Sequence, residues 1–361
     1  MEDLFYIVSK FKTYGTPAVV KPLGNGRIHA TFKVTTAELN SPDYVLQRIN
    51  RTVFPDIDTL QRNLVYITNH MRGKLPATDP DRDRKVLTFI PTIQGKRYWT
   101  DGASYWRMTK YIPFSQTLTA LTPETVYTAG KAFGNFQAVL SDLPVQLEET
   151  QPDLYNIEFH LKQLKEARES NRARRRRKVS KELDYIEQYA ADMCKAEIAH
   201  RAGKLSKRIC HGDPRIGNLL FDQDREVLCV IDLDTVMPGY VFSDFGNFLR
   251  TAANTAKEDE KNLDKVYFDM QIFSTFTEGY LESCISFLTA YEIAHLPFAA
   301  TQFPYMQGVR FLTDFLNGDI HYQIQYPEHN LTRARNQLRL HESATEQLLH
   351  MQEFIHQHLP Q

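Results

Sequence analysis

The chain has 361 residues, longer than a typical single domain, so its length predicts two domains or lobes. Hydrophobic residues make up 42 % of the sequence and charged residues 24 %, which argues against global disorder and predicts a sizeable core. The 43 Lys and Arg residues nearly balance the 44 Asp and Glu residues, so the overall charge predicts neither a nucleic-acid partner nor a membrane partner.

The cysteines and the N-terminus indicate a compartment. Four scattered cysteines form no Cys-x-x-Cys pair and no Cys/His cluster, which speaks against zinc and against a disulfide framework: Cys194, Cys210, Cys229 and Cys284. The opening MEDLFYIVSKFKTYG is acidic at its start and amphipathic, unlike a signal peptide, and no apolar run has the length of a membrane span. We therefore expect a cytoplasmic protein.

The elements along the chain change character near residue 112. Residues 3–12 predict a short opening helix, and residues 17–112 contain six β-rich runs, interrupted by one helix that begins after Pro55: AVVKPL, ATFKVTT, YVLQRIN, VLTFI, KRYWT and SYWRMTKYI. From Pro113 the pattern is helical, apart from short strands at LLF and VLCVID. The sequence predicts an α+β fold with a small β-rich N-terminal lobe, residues 1–112, and a larger, mostly helical C-terminal lobe, residues 113–361.

A basic run at residues 172–178 contains five arginines and one lysine. Such a run can bind an anionic partner, but no aromatic residues are interleaved with it. Acidic residues lie nearby in sequence, at Glu166, Glu169 and Glu182. The sequence therefore favours a solvated segment neutralised by these neighbours over a nucleic-acid site.

The stretch HGDPRIGNLLFD, residues 211–222, places Asp213 and Asn218 on a loop before a short strand. A second apolar strand, 227–231, ends in Asp232 and Asp234, which we expect on one face. Two carboxylates this close favour a divalent metal, although Asp234 is equally suited to cap the turn that follows. In kinase-like phosphoryl transfer, a base orients the attacking hydroxyl while an Asn and a strand-end Asp hold metal, roles that suit Asp213, Asn218 and Asp232.

The N-terminal lobe contains a candidate nucleotide clamp. Gly24 and Gly26 lie between two strand-like runs, which suits a hairpin whose amides close over phosphates. A kinase-like site also needs a basic residue on the third strand, where either Arg48 or Gln47 occupies the position. The acidic partner is less well placed, because Asp56 and Asp58 stand at the helix start, where capping is the expected role.

The segments HGDPRIGN and VIDLDTVMPGYVFSDFGNFLR resemble the aminoglycoside phosphotransferase and choline kinase group of the protein-kinase-like fold. Within that group, YVLQRINRTVFPD, FGNFLRTAANTAKEDE, GVRFLTDFLNGDIHY and YPEHNLTRARNQLRL look most like bacterial N-acetylhexosamine 1-kinases. The resemblance implies a two-lobed kinase using ATP and Mg²⁺, with Asp213 as catalytic base in contact with the substrate, and Asn218 and Asp232 on the metal. The resemblance also implies a loop that covers ATP, formed by Gly24, Asn25, Gly26, Arg27 and Ile28. The hinge that binds adenine would be Lys110, Tyr111 and Ile112, and the sugar contact would be Arg310.

Two departures from the family pattern bear on the substrate. Pro214, Arg215 and Gly217 interrupt the usual Asp-Thr-Lys-x-Asn-Asn, and His321 stands where a tyrosine is expected. The sequence favours phosphorylation of the anomeric hydroxyl of N-acetylglucosamine or N-acetylgalactosamine. The alternatives are a same-fold kinase for an amino alcohol, a homoserine-like metabolite or an aminoglycoside, and a nucleotide-binding relative without activity. The expected partners are the sugar and the nucleotide, and the sequence does not determine the oligomeric state.

Overall fold

A computed structural model describes residues 3–24 and 28–358, which form two compact units. The first unit contains the chain up to Leu118 together with Asp142–Gln151 and Gly217–Met237. The second contains Thr119–Ser141, Pro152–Ile216 and the chain from Pro238 onward. The predicted boundary at residue 112 lies inside the first unit, and the strand pair after Asn218 also belongs to that unit.

The first unit is built on a six-stranded antiparallel sheet in the order β1-β2-β3-β6-β4, with β5 also paired to β6. All six predicted strands are confirmed: β1 Pro17–Pro22, β2 Ala30–Thr36, β3 Tyr44–Arg48, β4 Phe89–Ile90, β5 Trp99–Thr100 and β6 Tyr105–Lys110. Alternating residues of β2, β3 and β6 face a common core, which helix α1, Leu4–Val8, covers. Val34, Leu46, Trp106 and Met108 are almost completely buried there.

Helix α2, Ile57–Lys74, follows Pro55 as predicted, and α3, Arg82–Lys85, comes before β4. The Asp56 side chain accepts the Thr59 amide at 3.0 Å, so its predicted capping role is confirmed. Two further strands, β8 Leu219–Phe221 and β9 Val227–Val230, form a hairpin that completes this unit. The strand before them in the chain, β7 Arg208–Cys210, belongs to the second unit. Strand β10, Met237–Gly239, follows.

The second unit is mostly helical, as the sequence predicts. Its helices are α4 Pro123–Leu140, α5 Ile157–Ser170, α6 Ser180–Met193, α7 Lys195–Arg201, α8 Val241–Ala252, α9 Met270–Cys284, α10 Ala290–Ala294, α11 Leu296–Asn317, α12 His329–Glu346 and α13 Leu348–Gln357. Helix α11 is buried along most of its length against α5, α8 and α12. None of the helices in the described ranges is long and apolar enough to cross a membrane.

Helices α4 and α9 pack at backbone distance because glycines face each other across the contact. A Cβ added at Gly130 would lie 2.3 Å from the Phe276 carbonyl oxygen, and one at Gly279 would lie 2.1 Å from the Tyr127 carbonyl oxygen. Such distances are far below van der Waals contact, so only glycine permits this spacing. The close packing fixes α4, which also contacts β7 directly before the loop that bears Asp213.

Candidate active site

The loop that bears Asp213 is fixed by a buried carboxylate on α8. Asp244 accepts hydrogen bonds from the His211 amide at 2.7 Å and from the Gly212 amide at 2.8 Å. Gln137 on α4 donates to the same carboxylate at 2.7 Å and itself accepts from the Tyr280 hydroxyl at 2.5 Å. Burial raises the pKa of Asp244, and the hydrogen bonds and His211 oppose that shift. The two peptides before Asp213 are therefore held in one orientation.

Tyr155 and Asn247 fasten the same loop through its carbonyl group. The Tyr155 hydroxyl donates a short hydrogen bond to the Gly212 carbonyl, and the Asn247 amide lies 3.4 Å from that oxygen and 3.3 Å from the hydroxyl. Burial, and to a smaller extent the charge of Asp213, raises the pKa of Tyr155, which keeps the hydroxyl protonated as a donor. Neither residue was predicted, because a lone Tyr or Asn carries no sequence signal of such a contact.

Asp213 itself is partly exposed and pairs with Arg215, one of the residues that depart from the family pattern. Arg215 approaches the Asp213 carboxylate at 2.5 Å. The Arg215 side chain is 44 % exposed, so this ion pair is open to water and weak. An acceptor hydroxyl can therefore compete with Arg215 for the carboxylate.

Arg310 lies in the same unit, close enough to Tyr155 and His160 for its charge to affect both. Burial, followed by the Arg310 charge, lowers the pKa of His160 to about 4. Arg310 could also have paired with Asp314 one helical turn further on, but the Asp314 carboxylate instead accepts from three backbone amides of the following loop and from Asn330. Arg310 contacts Gln307 at 3.3 Å and has no carboxylate partner within the described ranges.

Asn218 and Asp232 lie at one end of the β8–β9 hairpin. The register pairs Leu219 with Val230, and the Ile231 amide donates to the Asn218 carbonyl at 2.9 Å. Asp232 follows directly, with φ 60° and ψ 55°. This left-handed conformation is uncommon for most residues, but aspartate and asparagine adopt it more readily than others. The backbone register therefore places Asn218 and Asp232 at the same end of the hairpin, and amide and carboxylate oxygens are the hard ligands that Mg²⁺ prefers.

Asp234 does not share the face of Asp232, contrary to the prediction. The left-handed turn at Asp232 ends the strand, and Leu233–Thr235 forms a 3₁₀ turn that carries Asp234 into the interior. There Arg107 on β6 binds both carboxylate oxygens, the second at 2.7 Å, and His29 Nε2 donates at 2.6 Å. The charge of Asp234 is thus neutralised by an arginine of the sheet. Its carboxylate serves neither as the predicted metal ligand nor as the cap of the following turn.

The charge state of this buried cluster follows from its hydrogen bonds. The Asn50 amide donates to His29 Nδ1 at 3.1 Å, so the proton of a neutral imidazole lies on Nε2 and points at Asp234. Burial alone would raise the pKa of Asp234, but Arg107 and His29 together bring it below its ordinary range. Asp234 is therefore a carboxylate with both oxygens occupied, and it ties the segment after Asp232 to the sheet.

The third strand does not contribute a cation to this cluster. Gln47 accepts from Arg107 Nε at 2.9 Å, whereas Arg48 has an exposed side chain on the opposite face of β3. Arg107 comes from the neighbouring strand, opposite Gln47 in the register. The cation that binds Asp234 thus comes from the strand next to β3, a placement that strand pairing decides and local sequence does not show.

The predicted nucleotide contacts lie partly outside the described residues. Asn25, Gly26 and Arg27 fall in that gap, while Gly24 has φ 68° and Ile28 is exposed. At the predicted hinge, the Lys110 and Tyr111 amides each donate at 2.8 Å, to the Thr88 and Asp43 carbonyls. An adenine bonded at Lys110–Ile112 would therefore have to use other backbone groups.

The antiparallel sheet with one main helix, the helical second unit and the Asp-bearing loop before the hairpin define a protein-kinase-like fold. Solved structures share it. An aminoglycoside phosphotransferase from Alicyclobacillus acidocaldarius has 14 % identity and a TM-score of 0.65, with 99 % of this chain and 97 % of that chain covered. An amicoumacin kinase has 14 % identity and a TM-score of 0.60, with 93 % and 92 % covered. A microcompartment-associated aminopropanol kinase has 15 % identity and a TM-score of 0.59, with 97 % and 98 % covered.

The family itself is shown by the sequence match. The model of the phosphotransferase enzyme family (APH) matches residues 19–282, which include the first sheet, the Asp213 loop and the hairpin. The chain therefore belongs to this family of phosphotransferase enzymes, as the resemblance implied.

Proposed function

We propose that this kinase transfers the γ-phosphoryl group of ATP to the anomeric hydroxyl of an N-acetylhexosamine, giving the sugar 1-phosphate and ADP. The fastening of the Asp213 loop through both preceding amides and a carbonyl carries this proposal. A base held so firmly can orient an acceptor hydroxyl and take its proton as the new phosphorus–oxygen bond forms and the bond to ADP breaks. Positioning of this kind is the main contribution a protein makes to phosphoryl transfer.

Asn218 and Asp232 would hold the metal. Mg²⁺ is usually bound through one or two carboxylates together with substrate phosphates and water, so a carboxylate and an amide from the protein suffice. The ion would neutralise charge on the phosphates. Asp234 is bound by Arg107 and His29 in the interior, whereas Asp232 lies at the same end of the hairpin as Asn218, so we assign the metal contact to Asp232. The amicoumacin kinase structure, which contains AMP-PNP and Ca²⁺, supports a nucleotide and a divalent cation.

ATP would bind in the first unit, under the loop of residues 24–28 and against Lys110–Ile112, with Arg48 as a further candidate contact. His29 supports this assignment, since it directly follows residues 24–28 in the sequence and binds Asp234 at 2.6 Å. The same side chain thus links the predicted phosphate loop to the segment that follows the predicted metal ligand.

Arg310 supports a sugar as the first candidate acceptor. It has no described carboxylate partner, and its charge reaches both Tyr155 and His160. A guanidinium with free donors can donate to the hydroxyl and acetamido oxygens of a sugar. The Asp213 carboxylate, whose charge also reaches Tyr155, would attract a cationic amine, so the acceptor has to be decided by experiment. The names of the aminopropanol kinase and of a choline kinase from Cryptosporidium parvum favour amine acceptors as the second candidate.

A substrate screen separates these candidates. ATP consumption would be measured with N-acetylglucosamine, N-acetylgalactosamine, glucose, choline, aminopropanol and an aminoglycoside, and the phosphate position of each product read by NMR. We expect turnover with N-acetylhexosamines and a phosphate on the anomeric carbon. Turnover with amines alone would refute the sugar assignment.

Variants at Asp213 test the site itself. Asp213→Asn should lose turnover by at least about 100-fold while ATP binding is kept, because general-base and orienting contributions are usually of this size or larger. Asp224→Asn, an exposed carboxylate in the β8–β9 turn, is the matched control and should keep full activity. Near-normal turnover in Asp213→Asn would overturn the assignment of the base.

A further inference from the structure

Four arginine side chains of the loop between α5 and α6 are exposed, and none of them has an ion-pair partner in the part of the chain that the structure describes. The loop, called the basic loop here, comprises residues 171–179. The predicted neutralisation by neighbouring acidic residues is wrong, since Glu182 binds Arg335 at 2.6 Å. Within the described ranges no carboxylate pairs with the exposed side chains, which are Arg172, Arg174, Arg176 and Arg177.

The backbone of the basic loop is nevertheless held firmly. Arg175, between the exposed arginines, binds Asp319 at 2.5 Å and the Phe315 carbonyl at 2.9 Å. Val179 is completely buried, and the Asn171 side chain accepts the Arg176 amide at 3.1 Å. Because the backbone is already ordered, binding of a ligand to the arginines would cost little further conformational entropy.

The adjoining segment exposes large apolar side chains. Ile320 is 67 % exposed and Ile324 is 41 % exposed, both in the loop between α11 and α12. Asp314 fixes the start of this loop by accepting the Ile320 and His321 amides at 2.9 Å. The loop is joined to the basic loop by Arg175–Asp319 and by a second ion pair of 2.6 Å from Lys178 to Glu328. Cations and apolar side chains are therefore presented together by two ordered loops.

We propose that the basic loop and residues 320–324 dock this protein on an anionic phospholipid surface. Arginines at the headgroup level are attracted by anionic lipids, and isoleucines beside them can enter the acyl boundary. A nucleic acid fits less well. The two tyrosines of the segment are half-buried and already contact other rings, Tyr322 edge-to-face with Phe311 at 4.7 Å and Tyr326 stacked on His329 at 4.4 Å, so neither is presented as an open platform for a base. This surface is independent of which acceptor the kinase uses.

Vesicle binding tests the proposal. The full chain would be co-sedimented with phosphatidylcholine vesicles with and without phosphatidylglycerol, in low and high salt. We expect binding only where phosphatidylglycerol is present, weakened by salt. The variant R172Q/R174Q/R176Q/R177Q should bind more weakly by on the order of 1,000-fold, since each of the four cations adds about fivefold near such a surface. I320S/I324S should bind more weakly while keeping the salt dependence.

The matched control removes the same charge elsewhere. K12Q/K96Q/R97Q/K204Q replaces four exposed cations outside the two loops and should bind vesicles like the unaltered chain. Circular dichroism and thermal unfolding would check that each variant is folded. If the arginine variant does not fold, the isoleucine variant still tests the surface. Three results would each overturn the proposal. The arginine variant could bind vesicles as tightly as its control, the unaltered chain could fail to bind anionic vesicles, or the unaltered chain could bind RNA but not vesicles.

Discussion

Glu197 provides a stability prediction that can be worked out from its surroundings. It lies in the first turn of α7 and is only 6 % exposed. Oε1 accepts the Ile157 amide at 3.2 Å, at the start of α5, while Oε2 has no hydrogen-bond partner among the described residues. Burial raises the pKa of Glu197 from its ordinary 4.5 to about 7, with smaller effects from Glu158 and Arg201.

The raised pKa of Glu197 fixes the sign and size of the pH dependence of the unfolding free energy. Because the folded protein favours the neutral carboxyl group, the stability gained from it is complete below pH 4.5 and is lost as the pH rises through about 7. A shift from 4.5 to about 7 corresponds to about 3 kcal/mol of unfolding free energy. Glu197→Gln stays neutral at every pH and keeps an oxygen for the Ile157 amide. The variant should therefore resemble the unaltered protein in acid and exceed its stability by about 3 kcal/mol in mild alkali.

Urea denaturation measured at about pH 5 and about pH 8 would test this, with the difference in unfolding free energy between the two chains as the readout. Glu166→Gln, which changes an exposed carboxylate on α5, is the control and should leave the pH profile unchanged. A Glu197→Gln protein with the same pH profile as the unaltered chain would refute the reasoning.

Three further variants address the buried cluster, the helix contact and the loop. Arg107→Gln should destabilise the protein by about 3 kcal/mol or more in denaturation, because it leaves a buried carboxylate uncompensated, and adding Asp234→Asn should restore part of the loss. If the double variant is less stable than the single one, the ion pair is not the cause. Gly130→Ala should lower the unfolding free energy by about 1–3 kcal/mol by forcing two helices apart, whereas Gly73→Ala, which has open space in α2, should not lower it; equal losses would contradict the close-contact argument. Tyr155→Phe should lower kcat with little change in KM for ATP, since it removes the donor to the peptide before the proposed base; an unchanged kcat would exclude a positioning role.

Local sequence determined most of the secondary structure. The strands of the first unit and helix α2 follow from alternation and from 3.6-residue spacing, which depend only on residues close together in the chain. The same holds for the hairpin, because two apolar runs joined by a short polar turn can pair in few ways. The register of that hairpin places Asn218 and Asp232 at one end of it.

Charge partners distant in sequence could not be predicted. Asp234 is neutralised by Arg107, which is 127 residues away, and Arg107 reaches it because β6 pairs with β3. The exposure of the four arginines depends in the same way on Glu182 binding Arg335, 153 residues further on. In both cases the prediction used residues near in sequence: Asp232 beside Asp234 indicated a metal, and Glu182 beside the arginines indicated neutralisation.

The sequence by itself determined the elements, the family and the residues from which a kinase site can be built, since periodicity and motif spacing are properties of short stretches. Tertiary structure alone decided which charges are paired, how the Asp213 loop is fastened through Asp244 and Tyr155, and how far Glu197 is buried. The physical reason is that burial and ion pairing depend on packing between helices and strands distant in the chain, and they set the pKa values and the rigidity on which function depends.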